Sequence, residues 1–285
     1  MALIVEEMIE QLRPDPLTSL THKECIENAK DFFAGGAKYN PPGEIATVGI
    51  ADTFNSLVSI KKLVYDDKVL TWDQLLEALD NDFKGYDEIR EMCLAVPKFG
   101  NDIPEVDEMA NEITHFASQE ARKYEGRYGG NRIIETTAAA HHVPNGEIVG
   151  ALPSGRKAWT PLSDGISPMQ GTDIKGPTAV LNSVSKCSLD QYYCPLLNMK
   201  LDPSLFKDER GIGDFVSFMK TWHDLGLYHI QFNIVDVDTL KDAQKHPENH
   251  RSLMVRVSGY CAYFVDLYKG IQDDIIARTT FPSAC

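Results

Sequence analysis

A chain of 285 residues can bury a sizeable core, and 43% apolar with 25% charged residues is the balance of an ordinary folded globular protein. A formal net charge of −14 leaves no surplus of Lys and Arg for neutralising phosphates, which argues against nucleic acid or an anionic membrane as partner. No run approaches the ~20 apolar residues of a bilayer-spanning helix, and the start Met1-Ala2-Leu3-Ile4-Val5-Glu6-Glu7 lacks the basic opening and small-residue cleavage site of a secretion signal, so the expected location is cytoplasmic.

In chain order, Arg13-Pro14-Asp15-Pro16 breaks off a short acidic amphipathic start. Thr21 is placed to cap a helix running to about Phe33 and ended by Gly35-Gly36, with Cys25-Ile26-Glu27 inside it. Ala51 to Val64 sets Phe54, Leu57, Val58 and Ile60 to one side, with Lys61 and Lys62 where the C-terminal dipole favours cations. Thr71-Trp72-Asp73-Gln74 reads as a capping box, opening a helix striped by Leu75, Leu76, Leu79 and Phe83. Beyond the turn at Asn101 to Pro104, Val106, Met109, Ile113 and Phe116 mark a helix to about Tyr124. These stripes are expected to form core rather than a cofactor box.

From Gly129 to Pro177 the texture turns to glycine, proline and short apolar runs, with strands expected near Ile133 to Ala139 and Ile148 to Ala151. Adjacent residues on a strand face opposite ways, so His141 and His142 cannot both chelate one ion, and a structural or substrate-facing imidazole is expected. Gly150-Ala151-Leu152-Pro153-Ser154-Gly155-Arg156 is neither a Walker A loop nor a dinucleotide fingerprint. Between Thr178 and Lys186 periodicity leaves strand and helix open. The six cysteines, Cys25, Cys93, Cys187, Cys194, Cys261 and Cys285, form no Cys-x-x-Cys pair and read as reduced thiols, with neither zinc nor an iron-sulfur cluster expected in this polypeptide.

Gly213-Asp214 opens a helix carrying Phe215, Phe218, Met219, Trp222 and Leu225, closed by Gly226. The next run alternates: Tyr228, Ile230, Phe232 and Ile234 on one face, His229, Gln231 and Asn233 on the other, either a solvated strand face or the lining of a barrel. A short helix near Asp238 to Lys245 follows, then a strand-like run from Leu253 to Val257, and Val265 to Arg278 reads as a terminal amphipathic helix. Strand and helix alternate, which argues α/β. Between the last two segments Gly259 interrupts an extended pattern, which by itself reads as a bulge or tight bend. A glycine Cα that loses one hydrogen atom, however, can flatten into conjugation with its amide nitrogen and carbonyl, because no Cβ stands in the way.

Arg256-Val257-Ser258-Gly259-Tyr260-Cys261-Ala262-Tyr263-Phe264, as Arg-Val-x-Gly-Tyr-x-x-x-Phe near the C-terminus, resembles the radical-bearing signature of the glycyl radical enzymes, the pyruvate formate-lyase superfamily. Gly35-Gly36-Ala37-Lys38-Tyr39-Asn40, Pro97-Lys98-Phe99-Gly100-Asn101-Asp102, Gly155-Arg156-Lys157-Ala158, Gly176-Pro177-Thr178-Ala179-Val180 and His229-Ile230-Gln231-Phe232-Asn233 resemble further family segments in family order, so the likeness runs from about Pro16 to Thr280. It implies the C-terminal portion of a ten-stranded α/β barrel: residues 1–150 as part of the barrel's second half, residues 151–285 as the glycine radical domain. It also implies an upstream Gly-Cys-x-Glu loop bearing the thiyl cysteine, and this chain is expected to begin after it; Cys25, inside a helical pattern, is not expected to be that cysteine.

What the resemblance implies for chemistry follows from Gly259. No cofactor is bound; a separate activating enzyme, using S-adenosylmethionine and an iron-sulfur cluster, takes a hydrogen atom from Gly259, whose carbon is expected to be buried. The radical passes to a cysteine, whose thiyl abstracts hydrogen from a small-molecule substrate. Arg256, Val257, Tyr260 and Phe264 are expected to shape the loop, and His229, Gln231 and Asn233 to line the barrel. A polyol dehydratase or other lyase is the preferred activity; an arylacetate decarboxylase, a formate acetyltransferase, a radical-bearing subunit needing a separate cysteine-loop chain, and a truncated fragment are the alternatives. A homo-oligomer is expected.

Overall fold

The structure is a computed structural model that describes residues 2–40, 43–136, 139–278 and 280–281. The chain divides into two compact units, residues 1–46 with 115–135 and 190–193, and residues 47–114 with 136–189 and 194–285.

In the first unit three short strands, β1 (Glu44–Ala46), β2 (Ile133–Glu135) and β3 (Tyr192–Tyr193), lie parallel in the order β1-β2-β3. Ile45 pairs with Ile134, and Ile134 with Tyr192, so the middle strand carries buried Ile134. Helices Ala2–Leu12, Pro16–Thr21 and Lys23–Glu27 belong to the same unit. The single helix expected from Thr21 to Phe33 is thus replaced by two short ones. Asp15 accepts from Thr18 N and Pro16 takes the first helical position, which starts the helix early. After Glu27 the backbone turns left-handed at Ala29 (φ +49°), which ends the second. Cys25 is buried in that short helix.

The second unit holds β4 (Asn198–Leu201), β5 (Gln231–Ile234), β6 (Met254–Arg256), β7 (Cys261–Tyr263) and β8 (Thr280–Phe281). β5, β4 and β8 form a parallel sheet with β4 in the middle, and β6 and β7 an antiparallel hairpin. A helix, Glu209–Asp224, joins β4 to β5. It starts before Gly213 because Asp208 caps it, accepting from Gly211 N, and it stops before Gly226 (φ +69°). Phe215 and Phe218 of this helix meet Phe232 of β5 at ring-centroid distances of 5.4 and 6.2 Å.

Helix Ile50–Ile60 buries Phe54 and Val58 and continues as a π-helical turn, Lys61–Asp66, where Lys61 pairs with Asp66 at 2.7 Å. The capping box at Thr71 is present in both directions, Thr71 Oγ1 accepting from Gln74 N and Gln74 Oε1 from Thr71 N, and Leu75 and Phe83 are buried while Leu76 is exposed. Helix Pro104–Ala121 ends three residues before Tyr124; its buried residues include Val106, Ala110 and Thr114, while Phe116 is exposed.

Further segments differ from expectation or are decided by the structure. The strand at Ile148 to Ala151 is the end of a helix, His142–Ile148, with Ile148 exposed, and the strand from Ile133 stops at Glu135, with Thr137 and Ala138 outside the described residues. Thr178 to Lys186 is helical (Pro177–Ser185), proline at its first position favouring a helix start. The terminal helix is Lys269–Ala277, preceded by a 3-10 turn at Phe264–Asp266. Among the described residues no helix is long and apolar enough to cross a membrane.

Val235, Leu240, Ala243, Val255, Val257, Phe264 and Ile275 pack into one apolar cluster beneath the β6–β7 hairpin. Phe264 is 0% exposed whereas Tyr260 is 41% exposed. Phe264→Ala should therefore cost about 3–5 kcal/mol in urea unfolding, while Tyr260→Ala should stay within about 0.5 kcal/mol; equal losses would contradict this division between core and tip.

Candidate functional site

Register brings the polar residues together. β4 pairs with β5 so that Asn198 lies opposite Gln231 and Lys200 opposite Asn233, and alternation puts these four side chains on one face, with Met199 and Phe232 on the other. The polar face of β5 is the buried one: Gln231 is 7% and Asn233 4% exposed, while Ile234 is 48% exposed. Gln231 and Asn233 neither face solvent nor stand empty, because both are bonded to the hairpin. Asn233 Nδ2 donates to Arg256 O at 2.6 Å and its Oδ1 accepts from Arg256 N at 2.7 Å, imitating a neighbouring strand. Gln231 Oε1 accepts from Arg256 Nε at 2.8 Å and from Gly259 N at 3.3 Å.

The hairpin closes at Arg256 opposite Cys261, and Val257 N donates to Tyr260 O at 2.9 Å, leaving Ser258 and Gly259 at the tip. Gly259 has φ +82°, a left-handed conformation that side chains strain to adopt. An added Cβ would have its nearest heavy atom, Leu196 Cδ1, at 3.8 Å, so glycine serves conformation here, not close packing. The reading of Gly259 as a tight bend agrees with this turn. Gly259 is exposed, however, against the expectation of a buried carbon.

Beneath the tip lies a buried charge cluster. Ser258 Oγ donates to Asp164 Oδ1 at 2.9 Å, and Asn198, which takes a hydrogen bond from Gln231 Nε2, donates to Asp164 Oδ2. Arg278 Nη1 donates to Val257 O at 3.2 Å, and its Nη2 lies 2.9 Å from Asp274 and 3.5 Å from Asp164. His142 Nε2 lies 3.0 Å from Asp274 Oδ2, and Gln170 Nε2 donates to Asp274 Oδ1 at 2.8 Å. Burial alone would raise the Asp274 pKa; the Arg278 guanidinium and the contact with His142 outweigh it and hold the carboxyl below its usual range. Beside Asp164 the backbone passes too close to Leu196 for any side chain: at Gly165 (φ +57°) an added Cβ would stand 2.2 Å from Leu196 O.

Of the residues singled out from sequence, Gln231 bonds Gly259, Asn233 holds Arg256, Val257 and Tyr260 close the turn, and Phe264 anchors the base of the hairpin. Val257 sits in the apolar cluster and offers its carbonyl to Arg278; Phe264 N donates to Leu253 O at 2.8 Å. His229 precedes β5, half-buried, and burial together with the Arg256 cation lowers its pKa. His142 is fully buried on a helix, while His141 is exposed. Buried Arg156 donates to the carbonyls of Gly146, Val149, Gly150, Thr160 and Pro161, which leaves it no role as a phosphate ligand. Asp164, Asn198, Asp274 and Arg278 were not legible as site residues, although Asp274 and Arg278 stand four apart on one helix end, the spacing at which opposite charges meet.

The cysteines differ sharply in setting. Cys93 and Cys187 are buried, and burial pushes the Cys93 thiol up to about 11 and that of Cys187 higher still. Cys194 is half-buried, and exposed Cys261 takes a contact from Arg256 Nη1 at 3.4 Å. Cys285 lies outside the described residues.

Comparison with known proteins places these features in context. The Pyruvate formate lyase-like family matches residues 1–146 and the Glycine radical family residues 162–265. An isethionate sulfite-lyase of Bilophila wadsworthia is 41% identical over 266 residues, covering 92% of this chain and 32% of that protein. A trans-4-hydroxy-L-proline dehydratase of Clostridioides difficile is 38% identical, covering 97% of this chain and 35% of that protein. The glycerol-bound structure of a glycerol dehydratase from Clostridium butyricum superposes with a TM-score of 0.93 at 40% identity, over 98% of this chain and 36% of that one. The chain spans about a third of the length of the curated relatives it matches.

Because the folded Asp274 pKa is depressed, its ionised form contributes stability above its unfolded value of about 3.9, and that contribution is lost as pH falls towards the lower folded value. Asp274→Asn should destabilise the protein at neutral pH by ~3 kcal/mol and flatten the fall in stability between about pH 5 and pH 2, both read from urea midpoints across pH. An acid limb as steep as that of the unaltered protein would refute the assignment.

Proposed function

Starting from a chain that belongs to the pyruvate formate lyase-like family of glycyl radical enzymes and forms the C-terminal part of their α/β barrel, we propose that Gly259 is where the radical is stored. The observation that carries this reading is a left-handed glycine at a hairpin tip, inside the matched glycine radical segment, with its amide and its neighbours tied to a buried polar bed. Removal of one hydrogen atom leaves a carbon that can share its unpaired electron with the amide nitrogen and the carbonyl. That atom would be taken by a second protein, an activating enzyme that uses S-adenosylmethionine and an iron-sulfur cluster, as the family likeness implies.

The stored radical then passes to a cysteine whose thiyl abstracts hydrogen from a small substrate, a relay that needs the reacting atoms nearly in contact. Cys93 and Cys187 are buried thiols and Cys25 is enclosed in a short helix of the first unit. Cys261 follows two residues after Gly259, on the strand leaving the tip. Cys194 is half-buried and Cys285 lies outside the described residues; it is the upstream Gly-Cys-x-Glu loop implied by the family likeness that leads us to place the hydrogen-abstracting cysteine on another segment or chain. The relatives' names, two dehydratases and a sulfite-lyase, favour elimination from a small hydroxylated molecule over acyl transfer. Arg256, Val257, Tyr260 and Phe264 shape the loop.

Anaerobic treatment with a matched activating enzyme and S-adenosylmethionine should give an electron paramagnetic resonance doublet from the remaining α-hydrogen, collapsing when glycine is deuterated at Cα. Gly259→Ala should abolish it; an equal signal in that variant would falsify the assignment. Exposure of the activated protein to air should cut the chain near Ser258, and a cut elsewhere would count against a stored backbone radical. Cys25→Ser should leave the doublet, and any turnover restored by adding a Gly-Cys-x-Glu segment, nearly unchanged.

A further inference from the structure

The side chain of Gln231 is oriented from both ends. Its Nε2 donates to Asn198 Oδ1, and Asn198 in turn donates to Asp164, so the amide cannot turn over without breaking a chain of bonds. Its Oε1 is thereby aimed at the hairpin, where it accepts from Gly259 N at 3.3 Å and from Arg256 Nε at 2.8 Å. Gln231 belongs to β5, not to the hairpin, and is almost fully buried while Gly259 is exposed. A fixed, neutral oxygen on the sheet thus accepts from the amide of a left-handed glycine on the loop.

We infer that Gln231 is a positioning residue that tunes the Gly259 radical through its amide, an inference that rests on the reading of Gly259 given above. When a hydrogen atom leaves Gly259 Cα, the unpaired electron is shared with the amide nitrogen, which becomes more electron-poor and its N–H more acidic. A hydrogen bond from that N–H to the Gln231 oxygen strengthens as this happens, so it holds the radical more tightly than the closed-shell glycine. No proton is transferred at Gln231; the hydrogen atom goes to the activating enzyme, and the amide N–H stays on nitrogen. Arg256 Nε shares the same oxygen and helps to keep it in place, while the Asn198–Asp164 bonds fix the other end.

The test compares the unaltered chain with Gln231→Leu, which removes the oxygen at similar volume, and Asn233→Ala, which loosens the hairpin at Arg256 but leaves the Gln231 oxygen. In 15N-glycine-labelled protein, solvent exchange of the Gly259 amide proton should quicken roughly five- to tenfold in Gln231→Leu, the fold-change for one lost net hydrogen bond, and clearly less in Asn233→Ala, which loosens the hairpin but keeps the acceptor. In the activated protein, the coupling of the exchangeable amide proton, taken from spectra in H2O against D2O, should shift in Gln231→Leu and match the unaltered chain in Asn233→Ala. A radical whose amide coupling is the same in all three, or two variants that alter it equally, would overturn the inference while leaving Gly259 as the radical residue. No glycine-centred signal in the unaltered chain would instead overturn the reading beneath it, and the exchange rates would then report a loop contact without a radical to tune.

Discussion

The grip of Arg278 on the hairpin and on two buried carboxylates is the constraint on which the site depends. Its guanidinium reaches Val257 O, Asp274 and Asp164, while Asp164 receives Ser258. Taking these charges from water is expensive, and the cost is met only where nearly every oxygen has a donor. Here Asp274 has Arg278, His142 and Gln170, and Asp164 has Ser258, Asn198 and Arg278. Such a cluster gives little net stability, but it admits few alternative arrangements, because any displacement strands a buried charge. That rigidity is passed to Val257 and Ser258, the two residues before Gly259.

A hairpin tip with a left-handed glycine is by default one of the loosest places in a fold, since its residues bury little and its backbone is free. This one is held from below by side chains of the neighbouring strand. Asn233 supplies Arg256 with the donor and acceptor that a further strand would have supplied, and Gln231 reaches the tip itself. The two-residue period of β5 puts both on the same side, so a slip of one residue would turn Phe232 and Ile234 toward the hairpin and lose every one of these bonds. The buried polar bed therefore gives the glycine a fixed geometry that a bare hairpin tip would lack.

The apolar cluster has a complementary part. Val255, Val257 and Phe264 flank the tip in sequence and are buried, so the hairpin is nailed down on both sides of Gly259 while Tyr260 remains exposed. Lys200 shows the same economy at the neighbouring helix end. Burial lowers its pKa to about 8, and its Nζ donates to the carbonyls of Ile275 and Ile276, which the last turn of helix Lys269–Ala277 leaves without partners.

What the sequence determined by itself was local or carried by a contiguous motif. Thr71 and Gln74 had to form a capping box because both bonds are made within four residues; the α/β alternation and the β5 period followed from side-chain spacing; and the run from Arg256 to Phe264 pointed to a glycine-centred chemistry because its specified residues are adjacent in the chain. The tertiary structure decided whatever depended on partners distant in sequence. Asp164 lies 94 residues from Ser258 and 114 from Arg278, and His142 lies 132 from Asp274, separations at which no periodicity carries information. Gln231 and Asn233 could be read as one polar face, but solvent, substrate and hairpin all accept hydrogen bonds alike, and only the approach of Arg256 and Gly259 settles which of them that face meets. The helix at His142–Ile148 is illegible in the sequence for the same reason: its single short apolar run has no period to speak for it, and the contact of His142 with Asp274 comes from the far end of the chain.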